Sequence, residues 1–203
     1  VAAITSTFTQ GNLTHVENPF SVALEGDGFF QIRTESGELQ YTRDGSFEIS
    51  PVANGNMLCT SDGNPVLDAY GNQIILPSNR VATDLVVNQD GTLAFPDGTG
   101  NPAVITDANG RPVKFGIYQF NNPAGLSKEG SNNYSVTVAS GAAVAENGNA
   151  AVKQTKTHQY YTEASNVDVA NEMVNLIVAQ RAYEMNSKAI QASDEMRHQA
   201  NAL

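Results

Sequence analysis

Short apolar runs separated by Gly, Asn and Asp dominate the first 160 residues of the chain. Asx-Gly pairs between the runs, such as Asp44-Gly45 and Asp90-Gly91, supply the positive φ angles that tight hairpins need. The fold predicted for this part is a mainly β domain of short antiparallel strands. The runs with alternating or β-rich composition place strands within residues 29–33, 73–76, 84–87, 113–120 and 134–138.

Three glycines lie where apolar runs reverse direction: Gly26, Gly28 and Gly45. Glycine adopts positive φ angles at no steric cost, whereas a Cβ atom strains them. We therefore predict that all three are turn glycines, in conformations that other residues tolerate poorly.

The pattern changes near residue 165. Ser165-Asn166-Val167-Asp168 has the form of a capping box, with Asn166 as an alternative cap. No Gly or Pro follows up to Leu203, which predicts one long C-terminal α-helix from residue 167 to about 202.

Apolar residues recur along this helix at steps of four and three. A stripe of this kind is buried in proteins against a partner helix, as in a coiled coil. Residues 1–160 contain no comparable helical run. The predicted assembly interface consists of the stripe and its flanking residues: Val169, Met173, Val174, Leu176, Ile177, Gln180, Tyr183 and Ile190.

The acidic composition of the chain disfavours partners that carry many negative charges. The chain has 203 residues, with Lys+Arg 11 against Asp+Glu 21 and a net charge of -10. Binding to nucleic acid or to anionic lipid depends on clustered Lys and Arg, so both are disfavoured. No apolar stretch approaches the roughly 18 residues of a membrane-spanning helix. We expect no nucleic-acid partner and no membrane insertion.

Candidate catalytic and metal-binding residues are scarce. One cysteine, Cys59, excludes an internal disulfide and a Cys-rich zinc site. Most carboxylates, including Asp62 and Asp107, stand beside Gly or Asn in predicted turns, where they form Asx turns. No nucleophile and base occur at catalytic spacing. The prediction is a protein with no catalytic site, cofactor or metal.

Several sequence blocks stand out along the chain: residues 8–13, 22–30, 41–47, 63–67, 74–77, 120–126, 130–134, 163–174 and 180–188. Together they resemble the axial proteins of the bacterial flagellum, the rod and hook family. The blocks occur in the family's order and span nearly the whole chain. Residues 180–188, with the sequence Gln-Arg-Ala-Tyr-Glu-Met-Asn-Ser-Lys, are most similar to the distal rod branch of that family.

The resemblance implies a structural subunit of the flagellar basal-body rod or proximal hook that self-assembles and transmits torque. It implies copies of itself and neighbouring rod or hook subunits as partners, export through the flagellar apparatus, and a location in the basal body outside the cytoplasmic membrane. Residues 1–160 then form a β-rich outer domain that includes an N-terminal linker segment. Residues 161–203 form the coiled-coil segment of the inner tube.

The sequence also departs from the family pattern. The family's N-terminal helix is absent from this chain, and we expect that helix to be the partner of the apolar stripe. Proximal-rod, hook and hook-basal-body paralogues stay open. Two other classes are weighed: a secreted β-rich adhesin or binding module with a helical stalk, and a hydrolase that uses two carboxylates.

Overall fold

The computed structural model describes residues 7–97 and 102–200, and for residues 198–200 only the backbone. The chain divides into two compact units, Val1–Ser165 and Asn166–Leu203. The described part of the first unit consists of β-strands and two short 3-10 helices, Ala82–Asp84 and Pro123–Gly125. The second unit consists of one α-helix, α1 (Val169–Ala200).

The strands of the first unit are short because turns interrupt the chain so often. In chain order they are β1 (Leu13–His15), β2 (Val22–Glu25), β3 (Phe29–Arg33), β4 (Leu39–Thr42), β5 (Glu48–Val52), β6 (Gly55–Cys59), β7 (Ile75–Leu76), β8 (Val86–Val87), β9 (Leu93–Pro96), β10 (Pro102–Val104), β11 (Ile117–Gln119), β12 (Ser127–Gly130), β13 (Asn133–Ser135), β14 (Val144–Ala145), β15 (Lys156–Gln159) and β16 (Tyr161–Glu163).

All strand pairings in the described part of the chain are antiparallel. The largest sheet has six strands in the order β12-β13-β4-β3-β11-β14, and four smaller sheets of two or three strands accompany it. The predicted fold class, a mainly antiparallel β-domain followed by one long C-terminal helix, is confirmed. Pairing of that helix in a coiled coil stays a prediction.

Strand β3 separates two hydrophobic cores. Successive side chains of a strand point to opposite faces of the sheet, and β3 lies inside the six-stranded sheet. Phe30 packs edge-on against Phe47 and Phe115, with ring centroids 5.0 and 5.2 Å apart, in the larger core. Phe29 packs against Phe120 at 5.5 Å in the smaller one. Because both faces of β3 are buried, this strand fixes the position of its neighbours on both sides.

One turn recurs in five hairpins of the described chain. The N–H of its first residue donates to the carbonyl of the fifth at 2.8–3.0 Å, and the fourth residue is a glycine with φ between 76° and 88°. The residue before that glycine keeps a negative φ. Glycine alone therefore supplies the positive φ angle, as in a type I turn followed by a bulge. The five turns begin at Thr34, Thr60, Asp68, Asn88 and Asp107.

The three predicted turn glycines differ in their physical roles. Gly26 has a φ of 138°, as expected. Gly28 and Gly45 do not adopt positive φ, which corrects the prediction for both. A Cβ on Gly28 would lie 2.5 Å from the Ile117 side chain, and one on Gly45 would overlap the carbonyl oxygen of Val22. Close packing of neighbouring backbone and side chains therefore demands glycine at these two positions.

Of the five predicted strand segments, only residues 29–33 form a strand over their full length, and the other four are shorter than expected. Residues 73–76 contribute only Ile75–Leu76, and residues 134–138 contribute only the last two residues of β13. Within residues 113–120 only Ile117–Gln119 forms a strand, and residues 84–87 contribute only Val86–Val87 after a 3-10 turn. The preceding residues make single bridges, such as Thr92 with Lys114 and Asp68 with Phe115. The chain there crosses between small sheets, so its apolar residues are buried without forming a continuous ladder.

Gly45 should be more sensitive to substitution than a turn glycine in open space. We expect Gly45→Ala to lower the free energy of unfolding by about 2–3 kcal/mol, because the Cβ must displace the β2 backbone. Gly63, with no neighbour within 4 Å of a Cβ, is the matched control. Asn tolerates its left-handed conformation, so Gly63→Asn should cost less than about 1 kcal/mol. Urea unfolding followed by tyrosine fluorescence measures both, and equal costs would contradict the packing explanation.

Candidate assembly surface

Helix α1 begins at Val169, with Asp168 as its cap. The Asp168 Oδ1 atom accepts hydrogen bonds from the backbone N–H groups of Ala170 at 3.0 Å and Asn171 at 3.5 Å, and the Glu172 N–H donates to the Asp168 carbonyl at 3.0 Å. The helix thus starts two residues later than predicted. Asp168, rather than Ser165 or Asn166, occupies the capping position, because a carboxylate there both accepts the free amides and meets the positive end of the helix dipole.

The predicted stripe lies on the surface of this helix. The exposed fractions of its apolar side chains range from 48% for Ile177 to 78% for Tyr183. Gln180 is exposed as well. At roughly 100° per residue, one face carries most of the stripe, whereas Val174 projects about a quarter-turn away from Met173. The members on that face are Val169, Met173, Leu176, Gln180, Tyr183 and Ile190, with Ile177 at its edge.

A second apolar row runs along another side of α1. It consists of Val174, Val178, Met185 and Met196, whose exposed fractions lie between 58% and 68%. The spacings of four, seven and eleven residues place all four within roughly 40° of one another. Of these four residues, only Val174 belongs to the predicted interface, as a flank of the first stripe. The other three share its side of the helical wheel, a signal that the sequence also contains.

Less apolar residues lie between the two apolar rows. The charged residues Arg181, Glu184 and Lys188 lie on one side, where Ile177 is the apolar exception, and the small or amide residues Asn175, Ala182 and Asn186 lie on the other. A helix that is apolar on two separate faces differs from an ordinary surface helix, which has one apolar face. Among the described residues, α1 has no segment long and apolar enough to cross a membrane.

Two turn carboxylates of the first unit, Asp68 and Asp107, have structural partners. Asp107 Oδ1 accepts the N–H groups of Asn109 at 2.8 Å and Arg111 at 2.9 Å, and its Oδ2 pairs with the Arg111 guanidinium. The backbone N–H of Arg111, then its side chain, hold the pKa of Asp107 below its usual value despite opposing desolvation. Asp68 accepts the N–H groups of Tyr70 and Asn72 in the equivalent turn, both at 2.8 Å. These acids shape hairpins.

Glu146 is a buried carboxylate that no pattern in the sequence marks as special. It is 4% exposed and accepts the Thr155 hydroxyl at 2.6 Å, the Thr155 N–H at 2.7 Å and the Gln119 amide at 2.8 Å. Its oxygens are thus satisfied by neutral donors that fasten residue 155 to β11. In the described part of the chain, the hydrogen bonds of Glu146, Asp68 and Asp107 go to neighbouring backbone, amide, hydroxyl and guanidinium groups.

Cysteine and histidine chemistry is equally limited. Burial, with the Glu48 carboxylate nearby, raises the pKa of the Cys59 thiol, so the thiol disfavours its reactive thiolate form. His158 Nε2 lies 2.7 Å from Glu25 Oε2 on the surface, and this hydrogen bond lowers the pKa of Glu25. Within residues 7–97 and 102–200, no three His, Cys, Asp or Glu side chains form a group able to hold a metal ion.

Comparison with known proteins gives matches over the whole chain. The family described as flagellar basal body rod FlgEFG protein C-terminal matches residues 158–203, and the one described as flagellar hook protein FlgE/F/G D1 domain matches residues 23–95. The flagellar basal-body rod protein FlgG of Borreliella burgdorferi is 39% identical over 207 residues, which cover 100% of this chain and 71% of the relative.

Other relatives have related names. FlgG of Buchnera aphidicola subsp. Acyrthosiphon pisum is 37% identical over 202 residues, which cover 96% of this chain and 69% of the relative. The flagellar hook-basal body complex protein FlhP of Bacillus subtilis is 33% identical, with 96% and 68% covered. These relatives lend no support to the adhesin hypothesis or to a hydrolase.

Removing the Asp168 side chain should weaken the start of α1. We expect Asp168→Ala to destabilise the helix by about 1 kcal/mol, because the first-turn amides lose their acceptor. Asp168→Asn keeps an oxygen acceptor and should be nearly neutral. Far-ultraviolet circular dichroism during thermal melting reports the helix content. Identical melting of Asp168→Ala and the unchanged chain would show that the cap contributes nothing.

Proposed function

Because the chain belongs to the flagellar rod and hook protein family, we propose that helix α1 is the element through which it assembles. The protein is a structural subunit of the flagellar basal-body rod and not an enzyme. It resides in the basal body outside the cytoplasmic membrane and self-assembles with neighbouring rod and hook subunits. The proposal concerns which residues make those contacts.

One observation carries the proposal: large apolar side chains are exposed along almost the whole of α1. Burying one such side chain is worth roughly 1.5–3 kcal/mol. A helix with this many exposed apolar residues therefore gains far more from packing against other helices than from facing water. The predicted interface residues from Val169 to Ile190 supply one packing surface.

The two apolar rows favour two neighbouring helices. The first row includes Met173, Leu176 and Tyr183, and the second includes Val178 and Met185. One row would pack against the N-terminal helix that the family resemblance implies, and the other against an adjacent subunit. A helix enclosed in this way belongs in the wall of an inner tube.

The first unit supports a partner helix from the N-terminal side. Leu13 pairs with Glu163 across β1 and β16, and the Ala164 N–H donates to the Asn12 carbonyl at 2.9 Å. Residues 11–13 and 162–164 thus run side by side in the β-unit. Further upstream, Phe8 packs in the smaller core, with its ring centroid 5.6 Å from that of Phe29, so a partner helix on the N-terminal side would end before Phe8.

The β-rich part and the helix would have different roles in the rod. We propose that the β-rich part, predicted as residues 1–160, faces outward, and that residues 161–203 contribute the inner tube and transmit torque along the axis. Strand β16 pairs with β1, so we place the functional junction after Glu163. Export through the flagellar secretion channel belongs to the same proposal, supported by family membership.

Charges placed on either apolar row should abolish assembly. We expect Leu176→Glu, Met185→Glu and the double substitution Met173→Glu with Leu176→Lys to leave the β-unit folded but to prevent polymerisation and motility. Each buries a charge in a helix–helix contact, which costs several kcal/mol. Rod formation is scored by electron microscopy of purified basal bodies, and motility by swimming in soft agar.

Lys188→Glu is the matched control, because position 188 lies on the charged row of the same helix. It should assemble and swim. Normal rods in cells carrying Leu176→Glu would refute the first row as an interface, and normal rods with Met185→Glu would refute the second. Tyrosine fluorescence of each purified variant verifies that the β-unit is folded.

A further inference from the structure

Arg43 belongs to the block at residues 41–47 that the proposed assembly role leaves unexplained. Its guanidinium lies in a largely buried position, where it meets Glu163 of β16. The Nε atom donates to Glu163 Oε2 at 3.0 Å, and Nη2 lies 2.9 Å from the same oxygen. The two side chains are only 14% and 13% exposed. An ion pair this sheltered from water is screened little by salt.

The same guanidinium also binds the backbone next to β3. Its Nη1 donates to the Gly26 carbonyl at 2.9 Å and to the Gly28 carbonyl at 3.1 Å. Its carbon atom lies 5.6 Å from the centre of the Phe29 ring, a cation–π distance. Arg43 is therefore anchored to the sheet core on one side and holds Glu163 on the other.

Glu163 completes the connection to the N-terminal segment. Its second oxygen, Oε1, accepts the Gly11 N–H at 2.9 Å. A Cβ at Gly11 would overlap the carbonyl oxygen of Ala164, so the two segments are in backbone contact there. One carboxylate thus joins the N-terminal segment, strand β16 and, through Arg43, the core.

The backbone pairing alone is too small to hold these segments. Strands β1 and β16 share three residue pairs and form a two-stranded sheet, an arrangement that is marginally stable in water. The Glu163 carboxylate lies at the Leu13–Glu163 end of this pair and adds a side-chain contact to its three residue pairs. Upstream, Phe8 packs against Phe29 and the Gly26 N–H donates to Gln10 Oε1 at 2.9 Å, so the carboxylate acts on the stretch between Gln10 and Leu13.

We infer that Arg43, Glu163 and Gly11 form a latch that holds the N-terminal segment at Gly11 beside strand β16. Arg43 and Glu163 are positioning residues, which act through the two backbone segments that they hold together. That a load from the C-terminal helix enters through this latch rests on the proposed function. The latch itself does not depend on assembly.

Amide hydrogen exchange on the isolated 203-residue chain tests the latch. The reporters are the amides of Gly11 and Ala164, and the references are those of Leu58 and Val66, which bond elsewhere in the β-unit. Removing one partner of a buried ion pair opens the local structure. We expect Arg43→Gln to accelerate exchange at the two reporters by roughly tenfold or more and to leave the references unchanged.

Two further variants complete the test. Arg43→Lys keeps the charge, but one ammonium cannot span the carboxylate and both carbonyls, so its acceleration should be smaller. Arg111→Gln is the matched control: it breaks the ion pair with Asp107 inside one hairpin and should leave the reporters unchanged.

Two outcomes would overturn the latch. One is unchanged exchange of Gly11 and Ala164 in Arg43→Gln. The other is equal acceleration of reporters and references, which would make Arg43 a support of the whole unit. If Arg43→Gln does not fold, Glu163→Gln, which keeps an acceptor for Gly11, is measured with the same expectation. Loss of rod assembly in cells leaves these results unaffected, so the latch and the assembly role fail separately.

Discussion

Burial of both faces of strand β3 is the constraint on which the β-unit depends. Phe29 and Phe30 are adjacent in sequence, yet they enter different hydrophobic cores because side chains alternate along a strand. Shifting β3 by one residue would exchange the two faces and place Gln31 in the larger core. Register is therefore fixed from both sides, and the small sheets around β3 are positioned by what they pack against.

The recurrent five-residue turn explains how a chain of such short strands stays ordered. Each turn satisfies its own backbone groups, and a glycine takes the positive φ angle. In the turns that begin at Asp68 and Asp107, the carboxylate accepts the remaining amides. The acidic residues that make the chain so negative thus contribute to its hairpins, and catalytic use would compete with that role.

Helix α1 differs from the β-unit in how much of its apolar surface is buried. The two hydrophobic cores of the β-unit are built from residues of the first unit alone. The large apolar side chains of α1, in contrast, are exposed on two faces of the helix. Under the proposed function, the β-unit completes its own core and the exposed side chains of α1 are available for packing against neighbouring subunits.

The amino-acid sequence determined the fold class, the start of the helical period near residue 165 and the first apolar stripe, because alternation, turn glycines and helical spacing are local properties. It also carried the blocks that the family shares. Only the tertiary structure decided why Gly28 and Gly45 must be glycine, and that Arg43 meets Glu163 across 120 positions. Those features depend on which backbone segments pass close to one another. No local pattern encodes such approaches, since they arise when sheets formed by distant segments pack together.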